Sequence, residues 1–304
     1  MEAHENTADR QLRVGLIGAG PWARAIHAPG IADHPGTRLT SVWARRPSAA
    51  AEIAGPYCAE VADDPASLFG SVDAVAFAVP PDVQAELATS AARRGRHLIL
   101  EKPLALSLAD AQRLADTAAD NDVVTLVLLT RRFASDVRSW LGEIAELPGW
   151  QGGSVRWISG GLLKGPFAGS PWRHAEDGGL FDVGPHAVDL IDAALGPVTD
   201  VVAAHRTPSG VWQLVLDHQG GASSTVTMSM HTPVRPSVNE LTVFGEQGHR
   251  EFRGTAVEPS DSYTALLDDF VAMVHSGLRD HPCDVRRGLH LQRVLASARE
   301  VART

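Results

Sequence analysis

The feature that most constrains this fold is a short apolar segment, Leu12 to Ile17, that runs into a glycine-rich turn and then into a helical pattern. In such a strand-turn-helix unit the first glycine makes the tight turn, the second lets a pyrophosphate approach the backbone, and a small third residue lets the helix pack closely. The N-terminus of the helix then faces the phosphates. The sequence therefore predicts a dinucleotide-binding turn, and the expected cofactor contacts are Gly18, Gly20, Pro21, Trp22 and Ala23.

The segments that follow keep the alternation of strand and helix. The continuous apolar run Val123 to Leu129 is typical of a strand buried in a parallel sheet. This alternation predicts an α/β fold that begins with a doubly wound parallel sheet, whose ligands lie beyond the carboxyl ends of the strands. The other expected strands are Leu39–Ala44, Ala74–Val79 and His97–Leu100, and the expected helices are Ala23–Asp33, Ser48–Ile53, Val83–Arg94 and Ser107–Asn121.

The pattern changes after about residue 130. A helix, Ser135 to Leu147, is followed by six strand candidates, and glycine-containing turns between the later ones predict hairpins. We therefore expect a dinucleotide-binding domain of residues 1–128 and a C-terminal α+β domain of residues 129–304 with a mostly antiparallel sheet. The six strands are expected at 153–159, 198–205, 211–217, 223–229, 240–244 and 249–252, and helices at 262–275 and 285–302 close the chain.

Charge and cysteine content narrow the class of partner. The formal charge is −9 and the arginine pairs are scattered, so there is no basic face for nucleic acid. Cys58 and Cys283 lie far apart without a CxxC, which supports neither a disulfide framework nor a thiolate metal site. The polar start, Met1 to Gln11, resembles a frayed tail rather than a signal peptide, and no apolar run approaches the roughly 18 residues of a membrane helix. We expect a cytoplasmic protein.

Chemistry concentrates in the segment Gly178 to Asp189, where Asp182 and His186 stand four residues apart at the expected start of a helix and can share one face. A glycine pair before them would let the backbone approach a ligand. His186, near the helix N-terminus, would stay neutral and accept a proton, and Asp182 would orient it or contact a substrate hydroxyl. In the alternative interpretation Asp182 is only an N-cap and His186 a polar bystander. A metal site using Asp182, His186 and Asp189 is conceivable, but no further ligand cluster supports it, and we expect no metal.

A second candidate is Lys102, which follows the strand His97 to Leu100 at the carboxyl edge of the predicted sheet. An ammonium group there can donate hydrogen bonds to a substrate oxygen and stabilise a developing alkoxide. Alternatively, Lys102 is a surface residue before the turn-forming Pro103. The adjacent Glu101 and the position at the ligand-binding edge favour the functional interpretation.

Taken together, four motifs resemble those of the Gfo/Idh/MocA oxidoreductase family, in the same order and over almost the whole chain. The resemblance implies a Rossmann domain followed by an open-sheet domain, a nicotinamide cofactor, and oxidation or reduction at a carbinol carbon of a sugar, cyclitol or similar polyol. The motifs are Gly18-Ala19-Gly20, Pro80-Pro81, Glu101-Lys102-Pro103 and Gly178-Gly179-x-x-Asp182-x-Gly184-x-His186-x-x-Asp189.

The resemblance also implies roles for single residues. Lys102 contacts both cofactor and substrate, while Asp182 and His186 handle the hydroxyl proton, so these three are the expected catalytic residues and also bind substrate. Trp172 and Arg173 match a pair that borders the nicotinamide pocket, and Arg173 is also expected to contact substrate. Since Lys102 comes from the first domain, the three catalytic residues are expected to meet between the domains. The remaining expected cofactor contacts are Val79, Pro80, Gln84 and Glu101.

The chain departs from the family pattern at three places. Where many relatives carry an acidic residue after the second strand, this chain has Arg45-Arg46, which suits the 2′-phosphate of NADP better than the ribose hydroxyl of NAD. Gln84 stands where a histidine is common, and Val79 replaces a frequent threonine. We therefore expect NADP, with NAD possible, and leave the roles of Gln84 and Lys164 open.

Three functions are consistent with these residues. The leading one is an NADP-dependent dehydrogenase or ketoreductase; the others are a glycoside-cleaving enzyme that uses its dinucleotide for transient oxidation, and a non-catalytic cofactor-sensing regulator. We also expect a homodimer or homotetramer joined through the C-terminal sheet, because one of its faces needs cover. That face is expected to carry Trp212, Leu214, Leu216 and Val226 or their alternates.

Overall fold

The structure is a computed structural model that describes residues 11–164, 168–253 and 258–303. These residues form two compact units. The first contains residues 11–128 and the later segment Glu258–Leu289, and the second contains residues 129–253 and 290–303. The expected tail lies outside the described residues except for Gln11. That residues 1–128 and residues 129–304 are separate domains stays a prediction.

The sheet of the first unit is entirely parallel, in the order β3-β2-β1-β4-β5-β6. The chain moves outward from β1 in both directions, so the carboxyl ends of β1 and β4 flank the point where the strand order reverses, which is where such sheets bind ligands. The Rossmann prediction is confirmed. The strands are β1 (Leu12–Ile17), β2 (Thr37–Trp43), β3 (Glu60–Val61), β4 (Ala74–Phe77), β5 (His97–Leu100) and β6 (Thr125–Val127).

The helices include the long ones that the periodicity predicts and several short ones that it does not. Ser107 caps the N-terminus of α5, because its hydroxyl accepts from the Asp110 amide at 3.1 Å. None of the helices among the described residues is long and apolar enough to cross a membrane. They are α1 (Ala28–Asp33), α2 (Pro47–Ala54), α3 (Pro65–Ser71), α4 (Pro81–Ala92), α5 (Leu108–Asp120), α6 (Thr130–Phe133), α7 (Ser135–Ala145), α8 (Pro171–His174), α9 (Gly178–Leu195), α10 (Pro259–Ser276) and α11 (Val285–Val301).

The sheet of the second unit has six strands in the order β12-β11-β7-β10-β9-β8. Only β7 and β10 run parallel; the other neighbours pair antiparallel. The expected open, mostly antiparallel sheet is confirmed. The strands are β7 (Trp150–Ile158), β8 (Val198–Arg206), β9 (Trp212–His218), β10 (Ser223–Ser229), β11 (Val238–Gly245) and β12 (Gly248–Arg253).

One face of this second sheet is covered by α9, which packs against β7, β9, β10 and β11. The large apolar residues of the central strands are buried, so the expectation that they lie on an uncovered face is wrong for the four residues named: Trp212, Leu214, Leu216 and Val226. Side chains alternate along a strand, and their neighbours therefore form the opposite face. Those neighbours are mostly polar: Gln213, Asp217 and Thr225 are exposed, and Val215 and Thr227 are half-buried.

Candidate functional site

The turn after β1 has the geometry that a bound dinucleotide needs. Gly18 has a φ of +124°, and a Cβ there would lie 2.4 Å from the Ala78 carbonyl oxygen, so only glycine fits. At Gly20 a Cβ would meet nothing within 4 Å, so this side of the turn is open. The first glycine is therefore required by the protein's own backbone, and the second leaves room for a ligand.

This open side faces a cavity of about 530 Å³ at the carboxyl ends of β1, β2 and β4. Its volume lies in the usual range for small-molecule sites. Arg45 and Arg46 line it, are exposed, and form no ion pair with the described residues. The lining is Gly18, Ala19, Gly20, Trp43, Ala44, Arg45, Arg46, Ala49, Ala78, Val79, Pro80 and Val83.

The donor set of this cavity fits a dinucleotide. Open backbone at Gly20 suits a pyrophosphate, and two guanidinium groups at the end of β2 suit an additional phosphate. Six expected cofactor residues thus line the cavity, whereas Pro21, Trp22, Ala23, Gln84, Glu101 and Lys102 do not. Ala23 is fully buried, as the small residue in a close helix contact would be.

Glu101, just before Lys102, is the centre of a hydrogen-bond network. The indole Nε1 of Trp22 donates to Glu101 Oε1 at 2.7 Å, and Nε2 of His27 lies 2.9 Å from the same oxygen. On the other side of the imidazole, the Tyr263 hydroxyl lies 3.0 Å from His27 Nδ1. Sequence reasoning did not single out His27 or Tyr263, since nothing in the local pattern marks them.

Gln84 has a structural explanation. Its side chain is fully buried, and its amide nitrogen donates to the carbonyl oxygens of Glu101, Pro103 and Leu104 at 2.8, 3.3 and 3.2 Å. Its amide oxygen accepts from the Glu101 backbone N–H at 2.8 Å. Gln84 therefore fixes the backbone on both sides of Lys102, in a loop whose Lys102-Pro103 peptide is cis.

In the second unit, α9 starts earlier than the sequence predicts. The helix begins at Gly178, so Asp182 is its fifth residue and His186 its ninth, and the residue before the helix is Asp177. The alternative interpretation, in which Asp182 is only the N-cap of this helix, is therefore wrong. The expected dipole effect on His186 is also wrong, because that effect falls off within the first turn.

Asp182 lies against the pair that precedes α9. Arg173 Nε is 3.2 Å from Asp182 Oδ1, both side chains are mostly buried, and the Arg173 guanidinium lies 4.4 Å from the centre of the Trp172 ring. A Cβ on Gly178 would lie 2.1 Å from the Arg173 carbonyl oxygen. The close approach at Gly178 is therefore to the chain's own backbone rather than to a ligand, while Gly179 has open space.

His186 is stacked on Trp157 of β7, with ring centres 5.5 Å apart and planes 21° apart. The guanidinium of Arg131 lies over the same indole at 5.3 Å, and burial lowers the pKa of Arg131. Its neighbour Arg132 pairs with Asp189 at 3.1 Å. The double arginine was visible in the sequence, but the contacts with Trp157 and Asp189 depend on the fold.

The two carboxylates of the conceivable metal site therefore each have an arginine partner. Among the described residues, no group of three or more His, Cys, Asp and Glu side chains could hold a metal ion. Asp182, His186 and Arg173 lie together in the second unit, and Lys102 belongs to the first. Their joint action stays a prediction.

Two family models match the chain. One, described as "Oxidoreductase family, NAD-binding Rossmann fold", matches residues 12–129, and one described as "GFO/IDH/MocA C-terminal domain" matches residues 152–251.

Similar curated proteins include a dTDP-3,4-didehydro-2,6-dideoxy-alpha-D-glucose 3-reductase from Streptomyces violaceoruber, 31% identical over 69% of this chain and 63% of that protein. Inositol 2-dehydrogenase from Rhizobium meliloti is 32% identical over 40% of this chain and 37% of that protein. The first four such relatives are matched over 37% to 63% of their own length.

Several solved structures are similar in fold to this protein over nearly the whole chain. The WlbA dehydrogenase from Bordetella pertussis, solved with NADH and UDP-GlcNAcA, has a TM-score of 0.84 at 20% identity, covering 97% of this chain and 96% of that one. GenD2 from gentamicin A biosynthesis, solved with NAD, has a TM-score of 0.83 at 20% identity, covering 97% and 95%. At this level of identity the likeness shows the fold.

Proposed function

The chain belongs to the Gfo/Idh/MocA oxidoreductase family, and we propose that it is an NADP-dependent oxidoreductase that transfers a hydride between the nicotinamide and a carbinol or keto carbon of a sugar, cyclitol or similar polyol. The observation that carries the proposal is the cavity at the carboxyl ends of β1, β2 and β4. It combines the open backbone at Gly20 with the guanidinium groups of Arg45 and Arg46.

The choice of NADP rests on the end of β2. In a Rossmann fold the residues after this strand meet the adenosine ribose, where a carboxylate favours the 2′-hydroxyl of NAD and an arginine favours the 2′-phosphate of NADP. Here Ala44 is followed by Arg45 and Arg46, and both arginines line the cavity. Charge-assisted hydrogen bonds to a phosphate are among the stronger polar contacts in proteins.

The residues assigned to the chemistry provide the groups that a carbinol oxidation requires. The bound nicotinamide accepts or supplies the hydride. Lys102 donates a hydrogen bond to the substrate oxygen and stabilises negative charge there. His186 exchanges the hydroxyl proton, which requires its neutral form near pH 7. Asp182, paired with Arg173, orients the hydroxyl or the imidazole.

The sugar-like substrate class is supported by the relatives. The names of the two similar curated proteins given above refer to a dTDP-linked deoxysugar and to inositol. The first is a sugar ring with keto carbons and the second is a cyclitol ring with carbinol carbons. We extend that class, and no particular member of it, to this protein.

Hydride transfer tests the proposal. The protein is incubated with NADP⁺ or NADPH and a panel of sugars, keto-sugars and cyclitols while nicotinamide absorbance is followed. We expect a net change with at least one member, and Lys102→Ala should slow that change by about 100-fold or more. Release of a sugar from a glycoside without net change in the nicotinamide would instead indicate the glycoside-cleaving alternative. A protein that binds the cofactor tightly but transfers no hydride to any panel member, and whose cofactor affinity is unchanged by Lys102→Ala, would be a regulator.

A further inference from the structure

The helix that follows the glycine-rich turn contains a π-helical turn, Ala23–His27, closed by a bond from the Ala28 N–H to the Ala23 carbonyl. In a regular α-helix residues five apart point in directions about 140° apart. A π turn has one more residue between hydrogen-bonded partners and brings such residues onto the same side. Trp22 and His27 are five apart, and both reach Glu101 Oε1, at 2.7 and 2.9 Å.

His27 is held from behind by Tyr263 of α10. Both side chains are fully buried, and the Tyr263 hydroxyl lies 3.0 Å from His27 Nδ1. Burial and the nearby Glu101 charge raise the pKa of Tyr263, so its hydroxyl keeps the proton that it can donate to Nδ1 of a neutral imidazole. The His27 Nε2–H is then left to donate to the carboxylate.

The contact between Tyr263 and His27 depends on close packing against Gly30. A Cβ on Gly30 would lie 2.4 Å from Cδ1 of Tyr263, so the tyrosine ring can reach the imidazole only across a glycine. The two rings lie 4.7 Å apart between centres. Consequently His27, which contacts the Glu101 carboxylate, is itself held in place by Tyr263.

We propose that His27 and Glu101 are positioning residues that couple the dinucleotide turn to the Lys102 loop. Through Trp22 the carboxylate holds the helix that starts from Gly20, and through its own backbone it holds Lys102, the next residue. Gln84 fixes the same loop from the other side. Loss of the His27 contact therefore loosens both segments together. The effect on cofactor binding and turnover rests on the proposed function; the coupling of the two segments does not.

Hydrogen exchange in the protein without cofactor tests the coupling. In His27→Leu, which keeps the bulk of the side chain but not its donor, we expect faster amide exchange in peptides covering residues 18–28 and 101–104 than in wild type. His27→Gln, whose amide can donate to Glu101, restores slow exchange in both. The matched control is Ile31→Val, a buried change one turn further along α1 that lowers stability without touching the network.

Calorimetric titration of the same variants with NADP tests the consequence for the cofactor. We expect the Kd to rise about tenfold in His27→Leu, to recover in His27→Gln and to stay unchanged in Ile31→Val, since a charge-assisted bond is worth one to two powers of ten. The inference is overturned if His27→Leu melts earlier but leaves the exchange of residues 101–104 as in wild type. An unchanged Kd beside faster exchange in both segments overturns the consequence for the cofactor and leaves the coupling standing. If wild type binds no dinucleotide while the exchange of both segments rises, the proposed function fails and the coupling stands.

Discussion

Asp182 and His186 illustrate how the side chains of the candidate site are held. Neither depends on α9 alone: Asp182 is paired with Arg173 of α8, and the His186 imidazole is stacked on Trp157 of β7. Removing one partner of a mostly buried ion pair leaves the other charge without compensation. Substitutions here therefore affect both chemistry and packing, and stability must be measured alongside turnover.

The first prediction concerns catalysis. Lys102→Ala and His186→Ala each lower turnover by about 100-fold to 10,000-fold, the usual range for acid-base and electrostatic groups. Asp182→Asn does the same, with a smaller loss if Asp182 only orients His186. Single-turnover hydride transfer and thermal melts are recorded on the same samples. A His186→Ala protein with near-normal transfer across the pH range would eliminate His186 as the proton acceptor.

The second prediction concerns pH. Burial, reinforced by Arg279 and Arg96, lowers the pKa of His97 to about 4, and its Nδ1 accepts from the Val124 N–H at 3.0 Å. The unfolded chain takes up this proton near pH 6.5, the folded chain only near pH 4. The free energy of unfolding therefore falls as the pH is lowered from about 6.5 towards 4. Urea unfolding across this range should show a shallower fall in His97→Gln, and an identical slope in the two proteins would contradict the assignment.

At the scale of elements, the contact between α8 and the start of α9 brings Arg173 to Asp182. The approach is so close that Gly178 has no room for a side chain, whereas Gly179, one residue later, has open space. These adjacent glycines therefore play different roles. Gly178 permits the close contact between α8 and α9. At Gly179 a side chain would meet none of the described residues within 4 Å.

The third prediction follows from this difference. Gly178→Ala lowers the free energy of unfolding by about 1–3 kcal/mol, the usual cost of overpacking. Gly179→Ala, its matched control, leaves stability unchanged or raises it by up to about 1 kcal/mol, since alanine is the better helix former. Chemical denaturation of both variants gives the comparison. Equal destabilisation by the two substitutions would contradict the geometry at Gly178.

The elements also show how far the sequence alone could go. The positions of β1, β4 and β5 could be predicted, because a strand that is buried in a parallel sheet gives a short, continuous apolar run in the sequence. The start of α9 was misplaced because two glycines and Pro185 are poor helix formers, and the contact with α8 overrides their propensity. Helix α3 was missed although Asp64-Pro65 is a recognisable start, with Asp64 accepting from the Ser67 amide at 2.7 Å. The π turn leaves no local signal, so the His27 network could not be foreseen.

For the molecule as a whole, the second sheet determines what can be expected of assembly. The large apolar residues of its central strands pack against α9, and the opposite face presents mostly polar side chains together with the exposed Phe244 of β11. Interfaces of this composition are common, since interfaces between proteins are often no more apolar than the rest of the surface. We therefore still propose a dimer or tetramer joined through this face.

The fourth prediction tests that assembly. Thr225 is exposed on β10, a central strand of the sheet, and Thr225→Lys would bring like charges together across a symmetric interface. Light scattering at micromolar concentration should report an oligomer for wild type, a shift to monomer for this variant, and no change for Thr264→Lys on the exposed side of α10. A wild-type protein that is monomeric under these conditions would remove the proposal.

The proposed function depends most on the cavity beside Gly18 and Gly20 and on the two arginines that line it. Calorimetric titration of wild type with NADP and NAD, repeated on a variant carrying both Arg45→Ala and Arg46→Ala, tests it most directly. We expect wild type to bind NADP about tenfold to a hundredfold more tightly than NAD, and the variant to lose this preference while its NAD affinity is kept. Equal affinities in wild type, a preference for NAD, or no binding of either dinucleotide would contradict it.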